Sequence, residues 1–219
     1  MSKIISYIAN ANNTLEKFVP QIEQAVRIAE KYAVEKLSID YQINIIFAPL
    51  FDFIPEDHIG GRTSTHEYIT ISLDTSVDSI DKNLIFETIC HELAHAVRWS
   101  RNPEYAATLI DCMLFEGMAT CFEEQSINEN NLNNKQFFLT TMQKRSEEEN
   151  KKIVSELKSQ FNNKDFDYKK IFFNNDELQR WAGYSAGYYL IKKYLSKTNK
   201  KACDAITDKY EFIKRTLSL

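Results

Sequence analysis

Residues 84–98 read LIFETICHELAHAVR, and both the fold and the chemistry of the chain turn on them. The apolar positions Leu84, Ile85, Ile89, Leu93, Ala96 and Val97 recur at three- and four-residue steps, the period of a helix with one buried stripe. They predict a helix over residues 80–99, with Asp78, Ser79 or Asp81 as its cap and Asn102 and Pro103 as its stop. His91 and His95 stand one turn apart, so their imidazoles leave the same face, about 6 Å apart along the axis. Two imidazoles so placed can converge on one tetrahedral zinc ion, and Glu92 is angled beside them to reach a water on it. The competing reading is a helix with two solvated histidines and a surface acid. A strand ahead of the helix and apolar residues on its opposite face favour the site.

Upstream, residues 14–37 carry apolar side chains at helical spacing, with Thr14 as a cap and Pro20 as a kink or break. Residues 43–48 are rich in β-branched side chains and end at Pro49, a strand; residues 55–61 hold Pro, Asp and paired Gly, a turn. Residues 68–73 alternate Ile69, Ile71 and Leu73 with Thr70 and Ser72, a half-buried strand. Downstream, residues 105–125 return to helical periodicity, and an Asn-rich stretch at 128–134 interrupts. The rest reads mostly helical, with a charged segment at 145–152, a polar break at 162–167, and helices at 176–195 and 201–217. The order helix, small sheet, helices predicts an α+β fold. With 219 residues, 5 Gly and 4 Pro there is room for one domain over 1–219 and little for long coil: a sheet-containing lobe over about 1–100 and a helical lobe over 101–219.

Hydrophobic residues at 43% and charged residues at 26% exclude disorder, collagen-like repeats and coiled-coil rods. Lys and Arg number 27 against 31 Asp and Glu, a net charge of −4, so no basic field recruits nucleic acid. No apolar run reaches the ~20 residues that cross a bilayer, which argues against a membrane partner. Residues 1–18 lack the long apolar core and cleavage site of a secretory leader, and a cytoplasmic location is expected. Cys90, Cys112, Cys121 and Cys203 form no CxxC pair; reduced, mostly buried thiols are expected, and Cys112 and Cys121, on opposite faces of one helix, cannot bridge.

A catalytic zinc wants a third protein ligand and an open position. The longer metzincin pattern needs Gly and His where this chain has Arg98 and Arg101, and is excluded. Glu116, in FEGMATCFEE over residues 115–124, is the candidate third ligand, because small Gly117, Ala119 and Thr120 let its helix approach the first. Glu123, two turns on, is its rival, whereas Glu87 is too far from His95 to share one small ion. Arg98, on the metal-facing stripe, can hold a substrate carboxylate, neutralise the next helix, or form a structural salt bridge. In WAGYSAGYYL, residues 181–190, Gly183 and Gly187 form a close-packing face, and the phenols of Tyr184 and Tyr188 can donate to an oxyanion or simply pack in the core. His58 and His66 precede the metal helix and either assist that oxyanion or are solvated.

HELAHAVR, EGMA and GYSAGYY, in that order, resemble the gluzincin branch of the zincin-like metallopeptidases over about residues 60–195. More narrowly the chain is similar to bacterial proteins known as predicted zinc-dependent proteases of otherwise unknown function. The resemblance implies a zincin-like fold, a small mixed sheet packed on helices that include the HExxH active-site helix, followed by a mostly helical C-terminal part. It implies Zn2+ on His91, His95 and Glu116, Glu92 as general base, and hydrolysis of peptide bonds in a peptide or protein substrate, with the strand at 68–73 pairing to an extended peptide. The small size of the chain points to peptides or unfolded segments. One departure stands out: better-studied gluzincins carry an Asp where this chain has Thr120, so the carboxylate that orients a ligating histidine is unassigned, with Asp111 and Asp74 as candidates. The alternative is a catalytically silent zincin-like module that binds or senses a ligand; a plain helical domain without metal is the third reading.

Overall fold

The computed structural model describes residues 2–101, 106–133, 136–173 and 180–219. Two strands form where β-branched residues alternate along the chain: β2, Ile43–Ala48, and β4, Tyr68–Leu73. They lie side by side and parallel, Ile45 opposite Ile69 and Phe47 opposite Ile71, at the centre of a sheet ordered β1-β2-β4-β3. The outer strands depart from the sequence reading. β1, Ile4–Ile8, pairs parallel with β2, from Ile4 opposite Ile43 to Ile8 opposite Phe47. β3, Ile59–Thr65, folds antiparallel onto β4 and forms the other edge. The turn expected at 55–61 therefore ends at His58, and Gly60 and Gly61 are strand residues. A Cβ on Gly60 would lie 2.4 Å from the Asp52 carbonyl oxygen, so glycine marks a close backbone crossing here instead of a turn.

Helix α1, Val19–Lys36, follows a short 3-10 turn at Glu16–Phe18. Pro20 lies in its first turn, where a missing N–H costs nothing, so it starts the helix instead of kinking it, and Phe18 holds the cap position expected of Thr14. In α2, Lys82–Arg101, the Asn83 N–H donates to the Asp81 carboxylate at 2.8 Å, which selects Asp81 from the three candidate caps. Asn102, Pro103 and Tyr105 lie outside the described residues, as does Asp176. Helix α3, Leu109–Glu129, starts at the Thr108 cap and extends past Gln125. Then come α4, Phe137–Lys144; α5, Glu147–Leu157, opened by a Ser146–Glu149 capping box; and α6, Tyr168–Phe172. Last are α7, Ala182–Thr198; α8, Ala202–Ala205; and α9, Tyr210–Leu217. The single helix expected at 201–217 is thus two, and the interruption has a partner, described below. The molecule is α+β and mostly helical.

Ile43, Ile45 and Phe47 of β2 and Ile69 and Ile71 of β4 are fully buried, and α1 and α2 pack together against the sheet. Helix α3 then packs on α2, and α7 on α3. The α3–α7 crossing is backbone on backbone: a Cβ on Gly117 would stand 2.2 Å from the Gly187 carbonyl, and one on Gly187 1.9 Å from that of Met113. The bare backbone of Gly117 therefore serves contact with α7, not with α2 as its sequence context suggests. Gly183 makes room for the Phe172 ring. All four cysteines are free. Among the described residues, no helix is long and apolar enough to cross a membrane.

Candidate metal centre

Helix α2 presents His91 and His95 from successive turns, and α3 brings Glu116 across to them. His95 Nε2 lies 3.2 Å from His91 Nε2 and 3.2 Å from Glu116 Oε2, and His91 Nε2 is 3.5 Å from the same oxygen. Donor atoms around a tetrahedral zinc with bonds of about 2.05 Å stand roughly 3.3 Å apart. The triangle is therefore of the size such an ion demands, and two imidazole nitrogens with one carboxylate oxygen suit zinc chemically. Among the described residues, these three are the group of His, Cys, Asp and Glu whose ligand atoms could share one ion. They are nearly buried, at 8%, 6% and 9% exposure.

Neighbouring groups set the orientation of each ligand. His91 Nδ1 donates to Glu123 Oε2 at 2.9 Å, which leaves Nε2 as the atom facing the centre. Glu123, the rival third ligand of the sequence reading, thus supplies the orienting carboxylate instead. Asp111 and Asp74 do not fill that role: Asp111 is engaged with Thr108 and Lys214, and Asp74 with His58. The His95 ring is stacked on Phe115 at 4.1 Å and 21°. Glu116 Oε1 accepts from the Tyr168 hydroxyl at 3.0 Å. Phe138 meets His91 edge-on at 6.3 Å, and its place is set by Asp57, whose carboxylate takes the Phe137 and Phe138 N–H groups at the start of α4. Burial raises the Asp57 carboxyl against those two bonds.

The charges are arranged to match. Burial opposes charge on Glu116, but the His95 and His91 imidazoles hold its carboxyl well below the usual range. Burial likewise opposes charge on His91, yet its bonds to Glu116 and Glu123 carry it well above the ordinary imidazole range. Glu123 is raised by burial despite its bond to His91.

Glu92 faces β3. The Thr63 hydroxyl lies 2.7 Å from Glu92 Oε2 and 3.0 Å from the Glu92 carbonyl oxygen, positioned to donate to either. A Cβ on Gly61 would sit 2.5 Å from Glu92 Cγ, so the bare backbone of Gly61 is what lets the carboxyl group lie along the strand. The strand that borders this centre is β3, not the expected 68–73: β4 is hydrogen-bonded on both sides, by β2 and β3, and has no edge left to offer a peptide.

Tyr184 packs edge-on against Phe138 and Phe172, within hydrogen-bonding reach of Tyr168. Burial and nearby Glu116 push its phenol well above its usual value, so it keeps its proton. Tyr188 is directed elsewhere, its hydroxyl donating to Glu124 at 2.9 Å. Arg98 is also engaged away from the ligands: it is 2% exposed, and its Nη1 donates to the Ile206 and Asp208 carbonyl oxygens, each at 2.9 Å, with its guanidinium 4.2 Å from the Tyr210 ring centroid. Those acceptors lie in and beside the break between α8 and α9. Of the options open for Arg98, the structural one fits, with carbonyl groups in place of an acid. His58 bonds Asp74, and His66 meets Tyr41 edge-on. Thr63, Gly61 and Tyr168 were not foreseen as site residues, and no local signal marks them. Glu123 was detectable, since it shares the stripe of Glu116.

A family model described as "Predicted Zn-dependent protease" matches residues 23–215 of the chain. Neither a curated protein nor a solved structure matches it.

Proposed function

The chain belongs to the family of predicted Zn-dependent proteases, and from that premise we propose that it is a zinc peptidase of zincin-like architecture, one domain with the HExxH helix α2 between a sheet-bearing lobe and a helical lobe. The observation that carries this reading is the convergence of His91, His95 and Glu116 with Glu92 braced beside them. Bound by those three residues, zinc would supply Lewis acidity, polarising a scissile carbonyl and acidifying water toward a pKa of ~7. Glu92 takes the proton of the attacking water and passes it to the leaving amine. The Thr63 hydroxyl beside Oε2 holds the carboxyl group in place for that transfer. The outer edge of β3 beyond Ile59, where Ile54 already bridges, receives an extended peptide as a fifth strand, so recognition is largely of backbone. Tyr184, held protonated at the aromatic wall, is the phenol left to donate to an oxyanion. Tyr188 and Arg98 have no part in the chemistry.

The test uses protein purified without a His tag. About one zinc per chain is expected, lost in His91→Ala; a chain without zinc overturns the metal reading. Glu92→Gln keeps the zinc while cleavage of a peptide library falls by about 10²–10⁴-fold. Unchanged cleavage in that variant sinks the mechanism. A zinc-loaded wild type that cleaves nothing leaves the silent binding or sensing module in its place.

A further inference from the structure

Glu116 is held at both ends. Its Oε2 faces the two imidazoles at 3.2 and 3.5 Å, and its Oε1 accepts the Tyr168 hydroxyl at 3.0 Å. Tyr168 is not a loose surface phenol. It opens α6, whose first turn is capped by the Asp167 carboxylate on the Lys170 N–H, and its ring stacks on Phe172 at 4.4 Å and 14°.

A carboxylate can bind a small cation through one oxygen or two. With two imidazoles already present, the second oxygen would claim the position that a catalytic site keeps open. A charge-assisted hydrogen bond on Oε1 ties that oxygen down and draws electron density from the group. We propose that Tyr168 is a positioning residue that keeps Glu116 a one-oxygen ligand and so reserves a coordination position for water or substrate. This rests on the metal-binding part of the function proposed above and is independent of what the site cleaves.

Cobalt(II) provides the readout, because its visible absorption is intense when four-coordinate and weak when five-coordinate. Wild type, Tyr168→Phe and Tyr188→Phe are loaded with cobalt and titrated with acetohydroxamate, which needs the open position. Phe retains the ring stacked on Phe172, so a purely packing role predicts no spectral change. The expected result is a loss of at least half the visible absorption and about tenfold weaker hydroxamate binding in Tyr168→Phe, with Tyr188→Phe, whose hydroxyl is spent on Glu124, like wild type. A Tyr168→Phe protein indistinguishable from wild type overturns the inference, as does the same loss in Tyr188→Phe. Wild type that takes up no cobalt or zinc fails earlier, at the metal reading itself. X-ray absorption on the zinc-loaded wild type needs no variant: one carboxylate oxygen at bonding distance supports the inference, and two overturn it.

Discussion

Two buried polar clusters lie within two turns of each other on α2, and they are built on opposite principles. At Arg98 donors meet acceptors: Nη1 reaches two carbonyl oxygens at 2.9 Å, Nε points to the Tyr210 hydroxyl at 3.4 Å, and the ring of Tyr210 covers the cation. At His91 and His95 two imidazole nitrogens and a carboxylate oxygen crowd within 3.5 Å of one another. The first arrangement matches the cation to acceptors and a ring, with Nη2 alone left without a hydrogen-bond partner. The second brings electron-pair donors together, which a proton or a metal cation would reconcile. The difference teaches that burial and charge alone do not distinguish a site from a strut; the balance of donors against acceptors does.

The contrast can be broken most directly at Arg98. Arg98→Met leaves two buried carbonyl oxygens without their donor, and a loss of about 3 kcal/mol is expected. In a chain of 219 residues that lowers the unfolding midpoint by roughly 6–12 °C, read by calorimetry, with zinc content unchanged. Loss of zinc at an unchanged midpoint would move Arg98 into the metal centre and end the distinction. On the other side, Glu123→Gln removes the charge behind His91, and zinc affinity should fall by about 10–100-fold in competition with a chelator. An unaltered affinity would make Glu123 a packing residue. The smallest effect is expected at Gly61→Ala, whose Cβ must push the Glu92 carboxyl aside. Turnover should drop about tenfold while zinc is retained, because the role proposed for Glu92 is that of a base and not of a ligand. Full activity in this variant would show that Glu92 does not depend on the close approach of β3.

Much of this was legible in local pattern. The β-branched run over 43–48 and the alternation over 68–73 match β2 and β4 residue for residue, and the 3.6-residue period locates α2 to within two positions at either end. β1 escaped because its five residues earn strand status only by pairing with β2, across the whole of α1. β3 escaped because Gly60 and Gly61 read as a turn, whereas each is glycine to clear a neighbour distant in sequence, the Asp52 backbone and the Glu92 side chain. Arg98 was placed on the metal-facing stripe by its spacing. Its long side chain answers to the C-terminal segment that covers that part of the helix, which no helical wheel contains.

What the sequence determined by itself is the relation of residues close along the chain: His91 with His95 and Glu92 beside them, and the two central strands. A period of 3.6 or 2 sets those relations wherever the segment folds. Only the tertiary structure decided that Glu116 closes the triangle while Glu123 stands behind His91, that Thr63 and Gly61 brace Glu92, and that Tyr168 takes the spare oxygen. Those relations join separate elements, so they depend on how the helices cross and the strands register, and that is settled by packing of the whole core, down to the bare contact of Gly117 with Gly187.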